Sequence, residues 1–189
     1  MFCISTQHPR PLGPRSRGSG CGAFTMIEVL VVVLILGIAS AIIVPQIASQ
    51  NDLNVSAAAR SVMADLLYAQ NRAVATQSTQ YVGFNVAGQQ YGLYSSMSPQ
   101  QVLTHPVNLN NYVMTFGKPG INNISSEVTL GSVGFNGQAT IAFNELGEPY
   151  SYDAGTLTPL SGSGTIVLTS GNNSLTISVA QDTGDISTN

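Results

Sequence analysis

The stretch from Phe24 to Pro45 reads FTMIEVLVVVLILGIASAIIVP, and its composition determines how the rest of the chain is interpreted. Residues 24–44 number 21 and include a single charged side chain, Glu28. A helix of that length rises roughly 30 Å, about the thickness of a bilayer's hydrocarbon core. The stretch therefore predicts a transmembrane helix over residues 24–45, in which an unpaired carboxylate is costly and marks a functional residue.

The residues around Glu28 resemble a known processing signal. Gly-Ala-Phe-Thr-Met-Ile-Glu at 22–28, followed by the Leu/Val/Ile run, is similar to the class III signal of type IV pilins and type II secretion pseudopilins. The resemblance implies that a prepilin peptidase/methyltransferase cuts between Ala23 and Phe24 and methylates the new Phe24 amine. It also implies an assembly role for Glu28 and a helix kink at Pro45. The family usually has Gly before the cut, where this chain has Ala23.

Two other interpretations remain open for the apolar run. It also fits an uncleaved anchor helix, and Ala39-Ser40-Ala41 fits the cleavage site of a conventional secretory signal peptide. In the second case the protein is a signal-anchored or secreted β-domain that binds an unknown ligand, and the mature chain begins at Ile42. A conventional signal peptide has no use for Glu28 inside its apolar segment, so the pilin-like interpretation is preferred.

Charge is distributed unevenly along the 189 residues, of which only 8% are charged. Arg10, Arg15 and Arg17 precede the apolar run, whereas the chain after Ala23 has three basic and nine acidic side chains, a balance of −6. The positive-inside rule predicts a single-pass inner-membrane protein with a cytoplasmic N-terminus and a periplasmic C-terminal domain. An acidic domain lacks the basic surface that binds nucleic acid.

Both cysteines lie before Phe24, so a disulfide in the processed chain is excluded.

Four segments follow from composition and periodicity. Residues 1–23 are a disordered cytoplasmic leader that is removed, and residues 24–45 are the transmembrane half of the N-terminal helix. Residues 46–77 are the amphipathic half of that helix, because apolar side chains recur there at three- and four-residue steps. We expect the helix to be continuous from Phe24 to about Gln77. That apolar stripe is Val55, Ala58, Ala59, Val62, Leu66, Ala69 and Ala73.

Residues 78–189 change to a period of two and predict a β-rich domain. The predicted hairpins are 80–86 with 90–94, and 165–169 with 175–180. Further strands are predicted at 112–116, 127–130 and 140–144. Loops are predicted at 95–111 and 117–126, a turn at 146–149, and a mobile segment at 153–164. One long helix followed by antiparallel strands is an α+β architecture of the pilin-like kind.

Three looser motifs refine the resemblance. Residues 66–74 (LLYAQNRAV), 141–147 (IAFNELG) and 175–184 resemble the GspH/FimT group of minor pseudopilins. This resemblance implies a minor pseudopilin of a type II secretion system, or a minor type IV pilin. Its partners would be other pseudopilins or pilins in a hetero-oligomeric fibre that supports protein export.

Catalytic and metal chemistry has little support in the sequence. His105 is the single histidine after the leader and has no accompanying nucleophile or metal-ligand spacing, so we expect no enzyme, no cofactor and no metal. Asp182 and Asp185 fit half of a calcium site but more closely fit a turn.

A group of tyrosines is open to two interpretations, because these residues are either partner-facing or half-buried strand residues. These are Tyr81, Tyr91, Tyr94, Tyr150 and Tyr152.

Overall fold

The computed structural model describes residues 24–47, 50–118 and 122–189, and within residues 41–47 it describes the backbone alone. The chain divides into two units, Met1–Ile43 and Val44–Asn189. Two helices come first, α1 (Met26–Ile47) and α2 (Gln50–Thr76). Residues 48 and 49 lie outside the described residues, so a single continuous helix to Gln77 stays a prediction.

Helix α1 coincides with the apolar run. In the part of the chain that the structure describes, no helix is both long and apolar enough to count as a membrane span. The transmembrane segment over residues 24–45 stays a prediction. The predicted leader over residues 1–23 lies outside the described residues, as does Ala23 at the predicted cut. Pro45 falls inside α1, and the kink predicted there is untested.

Helix α2 is rich in alanine and free of glycine and proline, which favours a long uninterrupted helix. It ends in a Schellman-type arrangement, in which the Ser78 N–H donates to the Ala73 carbonyl at 3.2 Å and Gln77 has a left-handed φ of 48°. The predicted apolar stripe is confirmed, because its seven residues are the seven buried residues of this helix.

Twelve strands follow. They are β1 (Gln80–Asn85), β2 (Gln90–Met97), β3 (Gln100–Val102), β4 (Val113–Phe116), β5 (Asn123–Ser125), β6 (Thr129–Gly134), β7 (Thr140–Phe143), β8 (Pro149–Asp153), β9 (Thr156–Pro159), β10 (Gly164–Ser170), β11 (Asn173–Val179) and β12 (Ile186–Thr188). One sheet has the order β5-β4-β2-β1-β7-β8-β9, with β3 paired to β2, and the other has the order β12-β11-β10-β6. Every pairing is antiparallel except that of β4 with β5. The predicted α+β class, a helix against antiparallel sheets, is confirmed.

The hydrophobic core lies where α2 contacts both sheets. The helix packs on β10, β11 and β12 of the four-stranded sheet and on β1, β5 and β7 of the eight-stranded sheet. The buried positions alternate along the strands, as expected for sheets with one apolar face. The sheet residues that are fully buried in this core include Val82, Leu93, Phe116, Ile141, Phe143, Ile166, Leu168, Ile177 and Val179. The apolar stripe of α2 packs against these sheet residues in the same core.

The two predicted hairpins are confirmed as β1–β2 and β10–β11. Three predictions were wrong because short strands lie in segments without clear alternation. β2 continues to Met97 and β3 pairs back onto it within the predicted loop 95–111, and β5 lies within the predicted loop 117–126. The segment 153–164 holds β9, an exposed edge strand that a turn at Ala154 and Gly155 folds against β8. The strand predicted at 127–130 begins later and runs to Gly134.

Candidate functional site

The N-terminal segment of α1 presents its side chains to the exterior. Phe24 is 77% exposed, and the large apolar side chains from Met26 to Ile38 are each at least 43% exposed. A helical segment that exposes large apolar side chains on all sides is suited to lipid or to packing with other apolar helices. The segment is therefore the candidate site for anchoring and assembly.

The start of α1 is capped by Thr25. The Glu28 N–H donates to the Thr25 hydroxyl oxygen at 3.3 Å and to the Thr25 carbonyl at 3.1 Å, the pattern of a helix N-cap. Glu28 lies in the first turn of α1 and is exposed, and it is the acid of that turn. An acidic side chain in the first turn is favoured by the positive end of the helix dipole. The cap and the acid together define where this helix begins.

A second polar site, which the sequence reasoning missed, joins α2 to the eight-stranded sheet. Asp65 accepts hydrogen bonds from the hydroxyl of Tyr91 on β2 at 2.5 Å and from that of Tyr112, next to β4, at 2.9 Å. Both tyrosines are buried, and the Tyr112 ring lies 4.4 Å from the His105 ring. The sequence showed only that Asp65 falls off the apolar stripe. Nothing in the spacing indicates a contact across 26 or 47 residues.

Burial controls the electrostatics of this contact. Desolvation raises the pKa of the Asp65 carboxyl above its ordinary value of 3.8, while the two tyrosine hydrogen bonds and the nearby His105 act in the opposite direction. The pKa values of Tyr91 and Tyr112 are also raised, first by burial and then by the Asp65 charge. Both hydroxyls therefore remain protonated donors. The site fixes the position of α2 and brings no nucleophile to a surface.

A third contact ties α2 to two turns of the domain. The side-chain amide of Gln70 donates to the Gly147 carbonyl at 2.9 Å and also approaches the carbonyls of Thr183 and Gly184 at 3.3 and 3.4 Å. A Cβ added at Gly184 would lie 2.6 Å from the Gln70 nitrogen, so the residue must be glycine for this approach. The turns near 147 and 184 are thus held against the helix.

The five tyrosines singled out from the sequence separate into two groups. Tyr91 is buried in the core, whereas Tyr81, Tyr94, Tyr150 and Tyr152 are half-buried. Tyr81 pairs with Tyr94 across β1 and β2, and its ring lies 5.2 Å from that of Tyr152. The four half-buried rings therefore share the outer face of the eight-stranded sheet.

The remaining candidates are dispersed. Asp182 and Asp185 are both exposed, in and beside a turn, and His105 lies in the loop between β3 and β4. Among the described residues, no three Asp, Glu, His or Cys side chains come together in a way that could hold a metal ion. Calcium binding by Asp182 and Asp185 stays a prediction.

Comparison with known proteins agrees with the signal at the N-terminus. Residues 18–44 match the prokaryotic N-terminal methylation motif. The chain carries a prepilin-type methylation motif. That motif includes the predicted cut at Ala23 and Phe24 and the first-turn acid Glu28. No curated protein sequence matches the chain.

Two solved proteins are similar in structure to the chain. The minor pseudopilin EpsH from the type 2 secretion system of Vibrio cholerae is similar over 72% of this chain and 96% of its own, at 11% identity and a TM-score of 0.49. The type IV minor pilin FimU of Pseudomonas aeruginosa is similar in two crystal forms, both at 15% identity. These cover 71% of this chain with TM-scores of 0.44 and 0.43, and 91% and 87% of FimU.

Proposed function

We propose that the protein is a minor pseudopilin of a type II secretion system, or a minor type IV pilin. It is a structural subunit that joins other pseudopilins or pilins in a fibre through its N-terminal helix and so supports protein export. The observation that carries the proposal is the match of residues 18–44 to the methylation motif. The fold adds support, because a helix followed by antiparallel sheets is the architecture expected of the GspH/FimT group.

The protein waits in the inner membrane as a single-pass precursor, with the leader in the cytoplasm and the strand-rich domain in the periplasm. Three leader arginines and the acidic balance of the remaining chain favour this orientation. A prepilin peptidase/methyltransferase then cuts between Ala23 and Phe24 and methylates Phe24. Thr25 and Glu28 begin α1 directly after the cut, so processing leaves the new amine at a capped helix start.

Glu28 supplies the charge that orders subunits in the fibre. The amine of Phe24 is positively charged near neutral pH, and the helix N-terminus adds partial positive charge to it. An apolar helix bundle offers such a cation no water, so it needs an acid of a neighbouring subunit. Glu28 is the single acid of the run. Loss of one member of a pair in such surroundings costs about 3–5 kcal/mol, whereas an acid that only favours its own helix start contributes about 0.3–1 kcal/mol.

The substitution Glu28→Val tests this role. The variant should insert and be cut like the wild type, because neither step uses the carboxylate, and it should fail to co-assemble with its partner subunits in cross-linking or pull-down experiments. Ser40→Val is the matched control, since it removes an exposed polar side chain of the same helix and should assemble normally. If the Glu28 variant assembles and supports export as well as the wild type, the intersubunit pairing is wrong.

The alternative function, a signal-anchored or secreted β-domain, predicts a different mature protein. The intact mass of the mature protein separates the two. A chain that begins at methylated Phe24 supports the fibre subunit, and a chain that begins at Ile42 refutes it.

A further inference from the structure

The outer face of the eight-stranded sheet carries a set of neutral side chains that the proposed function does not use. The antiparallel register aligns Tyr94, Tyr81, Ala142, Tyr150 and Pro159 in one row across β2, β1, β7, β8 and β9. Two neighbouring rows lie on the same face. One contains Val113, Gly92, Gly83 and Thr140, and the other contains Thr115, Gln90 and Asn85. No residue at these register positions is charged. We call this surface the tyrosine face.

Two glycines shape the middle of the tyrosine face. Gly83 and Gly92 are opposite each other on β1 and β2. A Cβ added at Gly92 would lie 2.7 Å from the Tyr94 hydroxyl oxygen, and one added at Gly83 would lie 3.3 Å from the Tyr94 ring. The Tyr94 ring therefore lies directly over the glycine backbone, where any larger residue would displace it. Tyr94 is half-buried, so its other side stays accessible.

A groove of about 350 Å³ adjoins this ring. Its lining includes Tyr94, Met97, Asn85, Gln90, Gln100 and Thr140. The volume falls within the range of small-molecule sites, about 300–1,000 Å³. The groove is concave and neutral, and its lining is mixed: it includes the aromatic residues Tyr94 and Phe84, the thioether of Met97 and several amide groups.

The amide groups of this groove are available for a ligand. Within the described residues, the side chains of Gln90, Gln100 and Thr140 take part in no hydrogen bond that meets ordinary geometric criteria. Asn85 uses its carbonyl oxygen to accept from the Gly88 N–H at 2.8 Å, which leaves its NH₂ group free. Each primary amide offers donors and an acceptor side by side. Such groups bind neighbouring hydroxyls that are donors and acceptors themselves.

We propose that the groove of the tyrosine face binds a neutral carbohydrate. A sugar ring stacks its apolar C–H face on Tyr94 while its hydroxyls bond to the amides of Asn85, Gln90 and Gln100. The lack of any charged lining residue excludes phosphates, nucleic acid and acidic sugars as preferred ligands. A flat protein partner fits less well, because it would bury several amide groups in a concavity without supplying them with partners. The proposal does not depend on the fibre function.

The test uses the full chain in nanodiscs of a zwitterionic phospholipid, which avoids sugar-based detergents. Three neutral trisaccharides, built of β-1,4-glucose, α-1,4-glucose and β-1,4-N-acetylglucosamine, are titrated by isothermal calorimetry and by saturation-transfer NMR. At least one should bind with a dissociation constant in the millimolar to high-micromolar range, as suits a small open site.

Variants then assign the binding to the groove. Tyr94→Ala should weaken binding at least tenfold, and Tyr94→Phe, which keeps the ring, should stay within threefold of the wild type. Tyr150→Ala is the matched control, because it removes a tyrosine from the same face that does not line the groove, and its affinity should be unchanged. Circular dichroism checks that each variant is folded.

Three results overturn the proposal. One is the absence of binding by all three sugars to the folded wild-type chain. Another is equal binding by the wild type and Tyr94→Ala. The third is the binding of a protein subunit, rather than a sugar, to the tyrosine face, since this would identify the face as a protein interface.

Discussion

The partly buried carboxylate of Asp65 makes a testable contribution to stability that depends on pH. Burial raises the pKa of Asp65 in the folded state above 3.8, so the folded protein holds this proton more tightly than the unfolded chain does. The stabilisation that protonation provides is fully present below pH 3.8 and is lost as the pH rises through the folded pKa. Between the two pKa values the slope approaches about 1.4 kcal/mol per pH unit for this one group.

Asp65→Asn removes that titration and keeps the shape of the side chain. The free energy of unfolding of a fragment spanning residues 50–189, measured by urea titration from pH 3 to 8, should therefore show a smaller loss of stability with rising pH in the variant. The difference between the two profiles isolates Asp65, because every other acidic group is common to both proteins. Parallel profiles for wild type and Asp65→Asn would refute the assignment.

The hydrogen bonds to Asp65 predict how much this contact contributes to the free energy of unfolding at neutral pH. Tyr91→Phe removes the donor at 2.5 Å and leaves one carboxylate oxygen without its partner inside the protein. A hydrogen bond to a charged group contributes about 1.5–3 kcal/mol, and about 2–4 °C of melting temperature corresponds to 1 kcal/mol in a domain of this size. We expect the melting temperature to fall by roughly 3–12 °C.

Tyr94→Phe is the matched control for that measurement, because it makes the same chemical change on the same strand but on the outer face of the sheet. Its melting temperature should change by no more than about 2 °C, as is usual for surface substitutions. The loss of melting temperature caused by Tyr91→Phe should also be smaller at low pH, because a protonated Asp65 needs fewer hydrogen-bond donors. Equal melting of the two variants would show that the Asp65 contact contributes nothing.

Two further predictions concern the core and the processing site. Leu66→Ala should cost about 2–5 kcal/mol in urea unfolding, because Leu66 is fully buried, whereas the adjacent Leu67→Ala, at 43% exposed, should cost less than about 1 kcal/mol; similar costs would mean that the wrong face of α2 was assigned to the core. Ala23→Leu should leave the precursor uncut in a gel-shift or mass measurement while Ala23→Gly is processed, and normal processing of the leucine variant would place the cut elsewhere.

Periodicity explains which parts of the fold could be predicted. The stripe of α2 could be predicted because small and apolar side chains recur without interruption from Val55 to Ala73, about five helical turns. The β10–β11 hairpin was read correctly because alternation flanks Ser170 and Asn173. β3, β5 and β9 have three or four residues each, too few for alternation to be distinguished from chance. Their positions follow from pairing with β2, β4 and β8, which the sequence alone does not display.

The functional sites divide in the same way. The methylation motif could be predicted, because its residues are contiguous and the match over 18–44 confirms it. The Asp65 contact could not be predicted, because it depends on how α2 crosses the sheet. The tyrosines could not be assigned before the register was known, since Tyr91 and Tyr94 are three residues apart on one strand and point to opposite faces.

The contacts of α2 also set an order of events when the chain is made. Its buried stripe faces β10, β11 and β12, which begin at Gly164, so the helix is synthesised long before the strands that cover it. Contacts between such distant segments form slowly, because the loop between them must first close. Until then the stripe is open to solvent and to other unfolded chains. A chain truncated before Gly164 therefore lacks the strands that cover one side of α2, and we expect it to aggregate.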